Sequence, residues 1–374
     1  MTAVRTSSRK IPIARPVISE NEKRRVMAVL DSGMLVAGVQ VRAFEAAFAA
    51  YLGVEHAVAT SSGTTALQVA LEALRIGPGD RVVTTPFSFV ATSNAILQAG
   101  AVPVFVDVDA LTYSLDPDAV ERAARDGARA VLCVHLYGLP CDLGPLLEIR
   151  ERLGILLIED CAQAHGATYR GQKVGTFGDA AVFSFYPSKN MTTGEGGMVV
   201  TGDGETAHRT RLLVNVGQNG SSEYVYEAIG YNYRMTDIAA AIGLGQLERL
   251  DEMNAIRRAH AARLTDGFAG VSWLTPPAEP TGHVHVYNQY TIRASQQRDV
   301  LAQHLTAAGI GHRVYYPSLI PDSPAYRKLG FGGAYPVATA LTREVLSLPV
   351  HPALEDGDLV RIVEAVSDFS PQRA

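Results

Sequence analysis

The sequence predicts an α/β protein with two domains, the larger one built on a mostly parallel seven-stranded sheet with helices on both faces. Seven short apolar runs alternate with helical stretches, the order that is typical of parallel sheets. A second, smaller α/β pattern follows a long helix and the proline-rich stretch over residues 276–280. The chain has 374 residues, 47% of them hydrophobic, which is enough to bury two cores.

The strands of the large domain are predicted where short apolar runs lie between turn residues. Helices are predicted between them, for example over residues 64–74 and 145–153. The predicted strands cover residues 58–59, 81–84, 102–106, 130–135, 155–158, 181–185 and 198–201.

The domain boundary is predicted near residue 250, inside a single long helix over residues 237–264 that we expect to form the hinge. Residues 1–18 are interpreted as an N-terminal arm, residues 19–250 as the large domain and residues 251–374 as the small domain. The small domain is predicted to contain a strand over residues 287–292, a helix over residues 298–308 and a last helix after Asp356.

Lys189 is the first candidate for a reactive group. It lies in the segment Ser184-Phe185-Tyr186-Pro187-Ser188-Lys189, just after a predicted buried strand and before a glycine-rich turn. An amine at such a position loses part of its water shell, so its pKa falls below the usual value of about 10.4 and it can attack an aldehyde. The alternative is an ordinary solvated loop lysine.

Asp160 is the second candidate. It follows Glu159 at the end of the apolar run over residues 155–158. The carboxyl ends of parallel strands are where open α/β sheets place ligand contacts, so this carboxylate is predicted to face a ligand. The alternative is a helix N-cap.

The third feature is a turn of small residues, Ser61-Ser62-Gly63-Thr64, between a predicted strand and a predicted helix. Backbone N–H groups at the helix start, with the hydroxyl groups of Ser62 and Thr64, can hold a phosphate. The turn could equally be only a helix cap.

One cofactor requires all three features. Pyridoxal phosphate needs an amine for its aldehyde, an acid that faces its ring nitrogen and an anion site for its phosphate. Each feature is ambiguous by itself, but together they predict a pyridoxal phosphate site in which Lys189 and Asp160 are the catalytic residues.

The chain resembles the DegT/DnrJ/EryC1/StrS family of sugar aminotransferases, whose members have the fold of aspartate aminotransferase, called fold type I. The resemblance runs nearly from end to end. It is carried by the segments around Asp160 and Lys189 and by Ser61-Ser62-Gly63-Thr64, Gly77-Pro78-Gly79-Asp80, Pro103-Val104-Phe105-Val106-Asp107-Val108-Asp109, Val134-His135-Leu136-Tyr137-Gly138, Gly230-Tyr231-Asn232-Tyr233-Arg234-Met235 and Leu348-Pro349-Val350-His351-Pro352.

The resemblance implies how the cofactor ring is held. Lys189 would join the cofactor aldehyde, and Asp160 would pair with the protonated ring nitrogen. Gln163 would contact the ring hydroxyl, and Phe89 would stack on the face of the ring.

It also implies how the phosphate is held. Gly63, Thr64 and Ser184 would bind it, and Asn232 would reach over from a neighbouring subunit. The resemblance therefore implies a homodimer with shared active sites.

Two segments depart from the family pattern. Relatives usually read Asn-His-Gly-Gln where this chain has Asn215-Val216-Gly217-Gln218, and many have a Leu-His pair after Tyr-Pro where this chain has Ser318-Leu319-Ile320-Pro321. These changes remove polar groups near the place where relatives bind the acceptor. We expect the loops over residues 218–227 and 318–325 to select the acceptor.

Composition excludes several other classes of function. The net charge of −5 offers no basic surface for nucleic acid. No segment reaches the roughly 18 apolar residues of a membrane helix, and the polar N-terminus does not resemble a signal peptide, so a cytoplasmic enzyme is expected. The three cysteines, Cys133, Cys141 and Cys161, show no metal-binding spacing and are expected to be reduced.

No metal site is predicted. The pair in His283-Val284-His285 would place both rings on one face of a strand, but no acid or thiol lies nearby in the sequence. His135 and His165 are expected to support strand ends or the cofactor rim. Dinucleotide-binding, phosphate-loop and nucleophile-elbow motifs do not occur.

The resemblance implies transfer of an amino group from L-glutamate or glutamine to a nucleotide-linked keto sugar. The segment over residues 189–197 is more similar to enzymes that act at C4, such as perosamine synthases, than to those that act at C3. A 3-keto sugar, scyllo-inosose or an aminohydroxybenzoate precursor are alternative acceptors. A sugar dehydratase of this family would carry histidine in place of Lys189, and a regulator or scaffold would have no need of the site residues.

Overall fold

The computed structural model describes residues 9–218, 224–295 and 297–370. Parts of the predicted N-terminal arm and of the predicted acceptor loop over residues 218–227 therefore lie outside the described residues. The described residues form thirteen α-helices: α1 (Glu20–Ser32), α2 (Val39–Leu52), α3 (Gly63–Ala73), α4 (Ala91–Gln98), α5 (Pro117–Arg125), α6 (Leu143–Leu153), α7 (Gly204–Val214), α8 (Asp237–Leu247), α9 (Leu250–Gly267), α10 (Arg298–Ala307), α11 (Pro324–Lys328), α12 (Pro336–Glu344) and α13 (Asp356–Ser367).

The strands form one large sheet and two small ones. Those in the described residues are β1 (His56–Thr60), β2 (Arg81–Thr84), β3 (Val102–Phe105), β4 (Ala130–Val134), β5 (Leu156–Asp160), β6 (Thr168–Tyr169), β7 (Gln172–Lys173), β8 (Ala180–Ser184), β9 (Gly197–Thr201), β10 (Leu274–Thr275), β11 (His283–Val284), β12 (Tyr290–Ala294) and β13 (Val345–Leu348).

The large sheet has seven strands in the order β1-β9-β8-β5-β4-β2-β3. Strand β9 is antiparallel to both neighbours, and the pairs from β8 through β5, β4 and β2 to β3 are parallel. The predicted α/β class and the mostly parallel seven-stranded sheet are confirmed. Because the parallel strands end at one edge, the segments that follow β2, β4, β5 and β8 meet there.

Apolar side chains are buried on both faces of this sheet. One cluster contains Phe44, Phe48 and Phe183, with the rings of Phe48 and Phe183 4.9 Å apart in an edge-to-face arrangement. A second cluster contains Leu67 and Ile96, from the helices α3 and α4. A third cluster lies on the sheet β10-β12-β13. Cys133, Cys141 and Cys161 are buried free thiols, as expected.

The local sequence explains where helices begin and end. Helix α1 follows Ser19, whose hydroxyl accepts the N–H of Asn21, while the Glu22 carboxylate accepts the N–H of Ser19. It ends at Gly33, which has a φ of 70°. These are the capping box and the left-handed C-cap that the sequence pattern favours. Among the described helices, none is both long and apolar enough to cross a bilayer.

The single long helix predicted over residues 237–264 is wrong: it is two helices, α8 and α9, separated at Glu248 and Arg249. Glu248 accepts hydrogen bonds from Asn21 at 2.8 Å and from Arg25, both on α1. Helix α8 packs on α1 and α2, whereas α9 packs on α13. The break therefore comes from contacts with different neighbours, which apolar periodicity does not reveal.

The strand predicted over residues 287–292 begins later, at Tyr290. Tyr287 has a φ of 42°, in the left-handed region, and so interrupts an extended run. The other predicted elements are found with their ends shifted by at most two residues.

Candidate active site

A cavity of about 430 Å³ lies at the edge of the large sheet where the parallel strands end. It is bounded by the start of α3, the ends of β4, β5 and β8, and residues from the C-terminal third of the chain. It brings together every site residue that the sequence predicted except Asn232, namely Ser62, Gly63, Thr64, Phe89, Asp160, Gln163, Ser184 and Lys189.

The start of α3 has features that suit an anion. A Cβ on Gly63 would lie 2.5 Å from the Cβ of Ser184, so only glycine lets the end of β8 approach the helix this closely. The first N–H groups of a helix lack partners inside it and lie at the positive end of its dipole. The Ser62 hydroxyl accepts the N–H of Thr65 at 3.2 Å and is therefore also the cap. The helix cap is therefore present, and the phosphate-binding role of the turn stays a prediction.

Asp160 is a buried carboxylate at the end of β5, with 4% of its surface exposed. The Thr92 hydroxyl donates to Oδ2 at 2.9 Å, and the backbone N–H of Ala162 donates to Oδ1 at 3.1 Å. Burial raises the pKa of Asp160 above its usual value because it disfavours the charged form. A cation placed against this carboxylate, such as a protonated ring nitrogen, would be strongly favoured.

Lys189 is partly exposed to the same cavity. Burial lowers its pKa to about 8, and the negative charge of Asp160 opposes this shift. The next residue anchors the loop, because the Asn190 amide donates to Asn254 at 2.7 Å and to the carbonyl of Val286 at 2.9 Å. The lysine is therefore held on a fixed loop, with an amine that is easily made neutral.

Gln163 and Phe89 complete the walls of the cavity. The N–H of Tyr137 donates to Oε1 of Gln163 at 2.7 Å, and Nε2 of Gln163 donates to the hydroxyl of Tyr316 at 3.3 Å. These bonds fix the direction of the amide. Phe89 is 56% exposed, so its ring offers an apolar face to a planar ligand.

Asn232 does not line this cavity and is exposed. The residues on either side of it bind α3: the Tyr231 hydroxyl donates to Glu72 at 2.9 Å and that of Tyr233 to Gln68 at 3.2 Å. The two tyrosine rings stack 4.7 Å apart. Asn232 is thus held on the outside of its own chain.

Sequence reasoning missed several residues that line the cavity. Thr92 comes three residues after Phe89 at the start of α4, a spacing that could have indicated a shared face. Gln289, Tyr315 and Tyr316 come from distant parts of the chain. No local pattern signals their contribution.

One buried group has metal-binding residue types. Ligand atoms of His135, Glu159 and Cys161 lie within 4.8 Å of one another. The Glu159 carboxylate already accepts the N–H groups of Gly175, Phe177 and Gly178, each at 2.8 Å. His135 accepts the N–H of Cys141 at Nδ1, which leaves its Nε2 to donate to Glu159 at 3.1 Å. These hydrogen bonds give the cluster a structural role.

The other histidines considered in the sequence analysis, His165, His283 and His285, are packed against aromatic rings. The ring of His283 lies 4.9 Å from that of Tyr169, and the ring of His285 stacks 3.9 Å from that of Tyr287. Burial lowers the pKa of His165 to about 3, which keeps this ring neutral beside Phe183. A neutral, buried ring of this kind is a packing element.

The donor set of the cavity fits pyridoxal phosphate. The start of α3 suits the phosphate, and it approaches Ser184 closely because residue 63 is glycine. The buried carboxylate of Asp160 suits a protonated ring nitrogen. Lys189 offers the aldehyde an amine of lowered pKa. The fold and the site together define a pyridoxal phosphate-dependent enzyme of fold type I.

Comparison with known proteins identifies the family. The DegT/DnrJ/EryC1/StrS aminotransferase family matches residues 16–367. The chain is 40% identical to the GDP-perosamine synthase of Caulobacter vibrioides, over 96% of this chain and 97% of that one. It is 41% identical to the dTDP-3-amino-3,4,6-trideoxy-alpha-D-glucose transaminase of Streptomyces venezuelae, over 92% and 91% of the two chains. The X-ray structure of S. venezuelae DesV in complex with a ketimine intermediate aligns with a TM-score of 0.90 at 41% identity, over 93% of this chain and 94% of that one.

This protein therefore belongs to the DegT/DnrJ/EryC1/StrS aminotransferase family, and it is a pyridoxal phosphate-dependent sugar aminotransferase. The family membership predicted from the sequence is confirmed. The relatives differ in nucleotide and in sugar, so membership alone does not fix the acceptor.

The lowered pKa of Lys189 leads to a pH-dependent prediction. Only the neutral amine attacks an aldehyde, so the rate at which cofactor-free enzyme combines with pyridoxal phosphate should rise about tenfold per pH unit. It should level off near pH 8, where the amine is half neutral. The Asp160 charge favours the ammonium form, so Asp160→Asn should move the plateau to lower pH. Stopped-flow absorbance across a pH series measures this, and a rate still rising above pH 10 would contradict it.

Thr92→Val is expected to slow the reaction about tenfold, because it removes a donor from the Asp160 carboxylate without changing the volume of the side chain. The charged form of Asp160 then loses stabilisation, and the cofactor ring is less firmly held in its protonated state. Thr92→Ser keeps the hydroxyl and should retain most of the rate. Steady-state kcat of the three proteins provides the comparison, and equal rates for Thr92→Val and wild type would exclude this role.

Proposed function

We propose that this enzyme transfers an amino group from L-glutamate or glutamine to C4 of a nucleotide-linked 4-keto sugar. The observation that carries the catalytic part is the pairing, in one cavity, of Lys189 with a lowered pKa and the buried carboxylate of Asp160. The amino-acid donor and the C4 position rest on the resemblance of the sequence to the family.

Pyridoxal phosphate, when bound, supplies an aldehyde that joins amines and a ring that withdraws electrons from the substrate carbon. Lys189 would hold the aldehyde through its amine. When free, the same amine would take the α-proton from the amino acid and later give a proton to the sugar carbon. Its lowered pKa suits both tasks, since it is readily neutral for the first and readily charged for the second.

The other residues of the cavity would bind and orient the cofactor. Asp160 would keep the ring nitrogen protonated, held in place by Thr92 and by the N–H of Ala162. Gln163 would face the ring hydroxyl, and Phe89 would cover the ring. The start of α3 and Ser184 would hold the phosphate, while Ser62 caps the helix.

We also propose that the active unit is a homodimer in which Asn232 completes the phosphate site of the partner. Its exposed position, fixed from both sides by tyrosines bound to α3, supports this arrangement. The boundary between the domains near residue 250 and the cytoplasmic location likewise stay predictions.

The loop over residues 318–325, which we expected to select the acceptor, does not line the cavity, whereas Tyr316, just before it, does. Leu319 and Ile320 are buried, and the N–H of Ile320 donates to the carbonyl of Pro86 at 2.9 Å. The family's Leu-His pair is thus replaced here by a packed segment. A 3-keto sugar remains the second candidate acceptor, because the S. venezuelae transaminase is named for a 3-amino sugar.

The test is an acceptor panel. The cofactor-loaded enzyme is first treated with L-glutamate until its visible absorption band is lost. Samples are then mixed separately with GDP- and dTDP-linked 4-keto sugars, a dTDP-linked 3-keto sugar and scyllo-inosose. Return of the visible absorption band of the lysine-bound cofactor reports acceptance. We expect a 4-keto nucleotide sugar to restore the band fastest. Faster recovery with the 3-keto sugar or with scyllo-inosose would replace this acceptor by the alternative.

A further inference from the structure

Ser88 lies in the loop between β2 and α4, four residues before Thr92, and it lines the cavity. Its Oγ lies 3.1 Å from Oγ1 of Thr92, which in turn lies 2.9 Å from Oδ2 of Asp160. The three residues are 3%, 1% and 4% exposed in that order. Two hydroxyl groups and one carboxylate thus form a short chain of hydrogen bonds that is shielded from bulk water.

The charge of Asp160 fixes the direction of this chain. An ionised carboxylate only accepts hydrogen bonds, so the single proton of the Thr92 hydroxyl points to Asp160. In its bond with Ser88, the Thr92 hydroxyl can then only accept, and Ser88 must be the donor. Each hydroxyl of the chain therefore points its proton toward the carboxylate.

The two hydrogen bonds strengthen each other. Inside a protein, where the dielectric constant is low, the bonds of a chain polarise one another, so a hydroxyl that accepts a hydrogen bond becomes a better donor. Ser88 therefore makes Thr92 a stronger donor to Oδ2 of Asp160. The N–H of Ala162 donates to the other oxygen, Oδ1, so its contribution does not depend on Ser88.

We propose that Ser88 is a positioning residue of the amino transfer, which acts through Thr92 to hold the Asp160 carboxylate charged and directed at the ring nitrogen of the cofactor. This inference rests on the proposed role of Asp160. Pyridoxal phosphate withdraws electrons best when its ring nitrogen is protonated, and a charged Asp160 favours that state. The hydroxyl of Ser88 should therefore affect the reaction through two intervening hydrogen bonds.

The first test needs no cofactor. Ser88→Ala removes the outer hydroxyl, so the charged form of Asp160 loses stabilisation, and the pKa of Asp160 should rise further, by about half a unit. The titration is followed by NMR on cofactor-free protein labelled with carbon-13 in its aspartate carboxyl groups. The Asp160 resonance is the one that Asp160→Asn removes. An equal pKa in wild type and Ser88→Ala would overturn the proposal.

The other groups that act on the Asp160 charge are unchanged in this variant. They are Lys189 after β8, His135 after β4, Cys161 after β5, and Tyr316. Because Ser88→Ala leaves all of them in place, a change in the pKa of Asp160 reports on the hydroxyl chain.

The matched control is Ser93→Ala. Ser93 follows Thr92 in α4 and is buried, but its hydroxyl accepts that of Tyr326 at 3.0 Å and donates to the carbonyl of Val90 at 3.4 Å. The control therefore removes a buried hydroxyl outside the chain, and the pKa of Asp160 should stay at its wild-type value. A rise as large as that in Ser88→Ala would show a general loosening of the site and would overturn the proposal.

The second test asks whether Ser88 acts through Thr92. In single-turnover reactions of the cofactor-loaded enzyme with L-glutamate, Ser88→Ala should lower the rate by about threefold, less than Thr92→Val does. In the Thr92→Val protein, the same change should have no further effect, since the chain is already broken. An equal loss in both backgrounds would mean that Ser88 acts by another route, such as direct contact with the ligand, and would overturn the proposal. If the wild type does not react with L-glutamate, the proposed amino donor is wrong, and the titration still decides the role of Ser88.

Discussion

Replacing Lys189 by alanine is expected to abolish both half-reactions, with kcat lower by about 10⁴-fold or more. The variant loses the amine that joins the cofactor and also the group that moves the proton at the α-carbon and at the sugar carbon. Single-turnover absorbance with L-glutamate, and then with a keto sugar, measures both losses.

The matched control is Lys328→Ala, because Lys328 is an exposed lysine of α11 that does not line the cavity. This control should react as fast as the wild type. If the Lys189→Ala protein kept a tenth or more of the wild-type rate in either half-reaction, Lys189 would not be the proton carrier.

Asp160→Asn is expected to lower kcat by about a thousandfold while the protein still folds and binds the cofactor. The buried carboxylate loses its charge, so it no longer favours a protonated ring nitrogen, and the ring withdraws electrons less strongly from the substrate carbon. The measurement is kcat at saturating cofactor and substrate, with the cofactor content of each sample determined by absorbance.

An analogue of the cofactor in which the ring nitrogen is replaced by carbon separates this electronic role from a structural one. With the analogue, wild type and Asp160→Asn should react at the same slow rate, because the ring nitrogen with which Asp160 would pair is absent. A thousandfold difference that persisted with the analogue would show that Asp160 acts through the structure of the site.

Much of the fold was predictable because it depends on local sequence patterns. The buried strands β4, β5 and β8 are short apolar runs, and the mostly parallel sheet follows from their alternation with helices. The split between α8 and α9 was not predictable. It depends on Glu248 meeting α1, which lies more than two hundred positions away in the sequence.

The same distinction holds for the site. Lys189, Asp160 and Gly63 lie at strand ends or at a helix start, so their positions could be read from neighbouring residues. Gln289 and Tyr316 reach the cavity only through the packing of the C-terminal part of the chain against the large sheet. The sequence also could not show that Gly63 permits the approach of Ser184, since that contact is purely tertiary.

The most direct test of a lysine-dependent amino transfer in this cavity is one absorption experiment on the purified wild-type protein, followed through two additions. We predict a visible band from cofactor bound to Lys189, loss of that band on addition of L-glutamate, and its return on addition of a nucleotide-linked keto sugar. A protein that shows no such band, even after incubation with pyridoxal phosphate, would contradict the account.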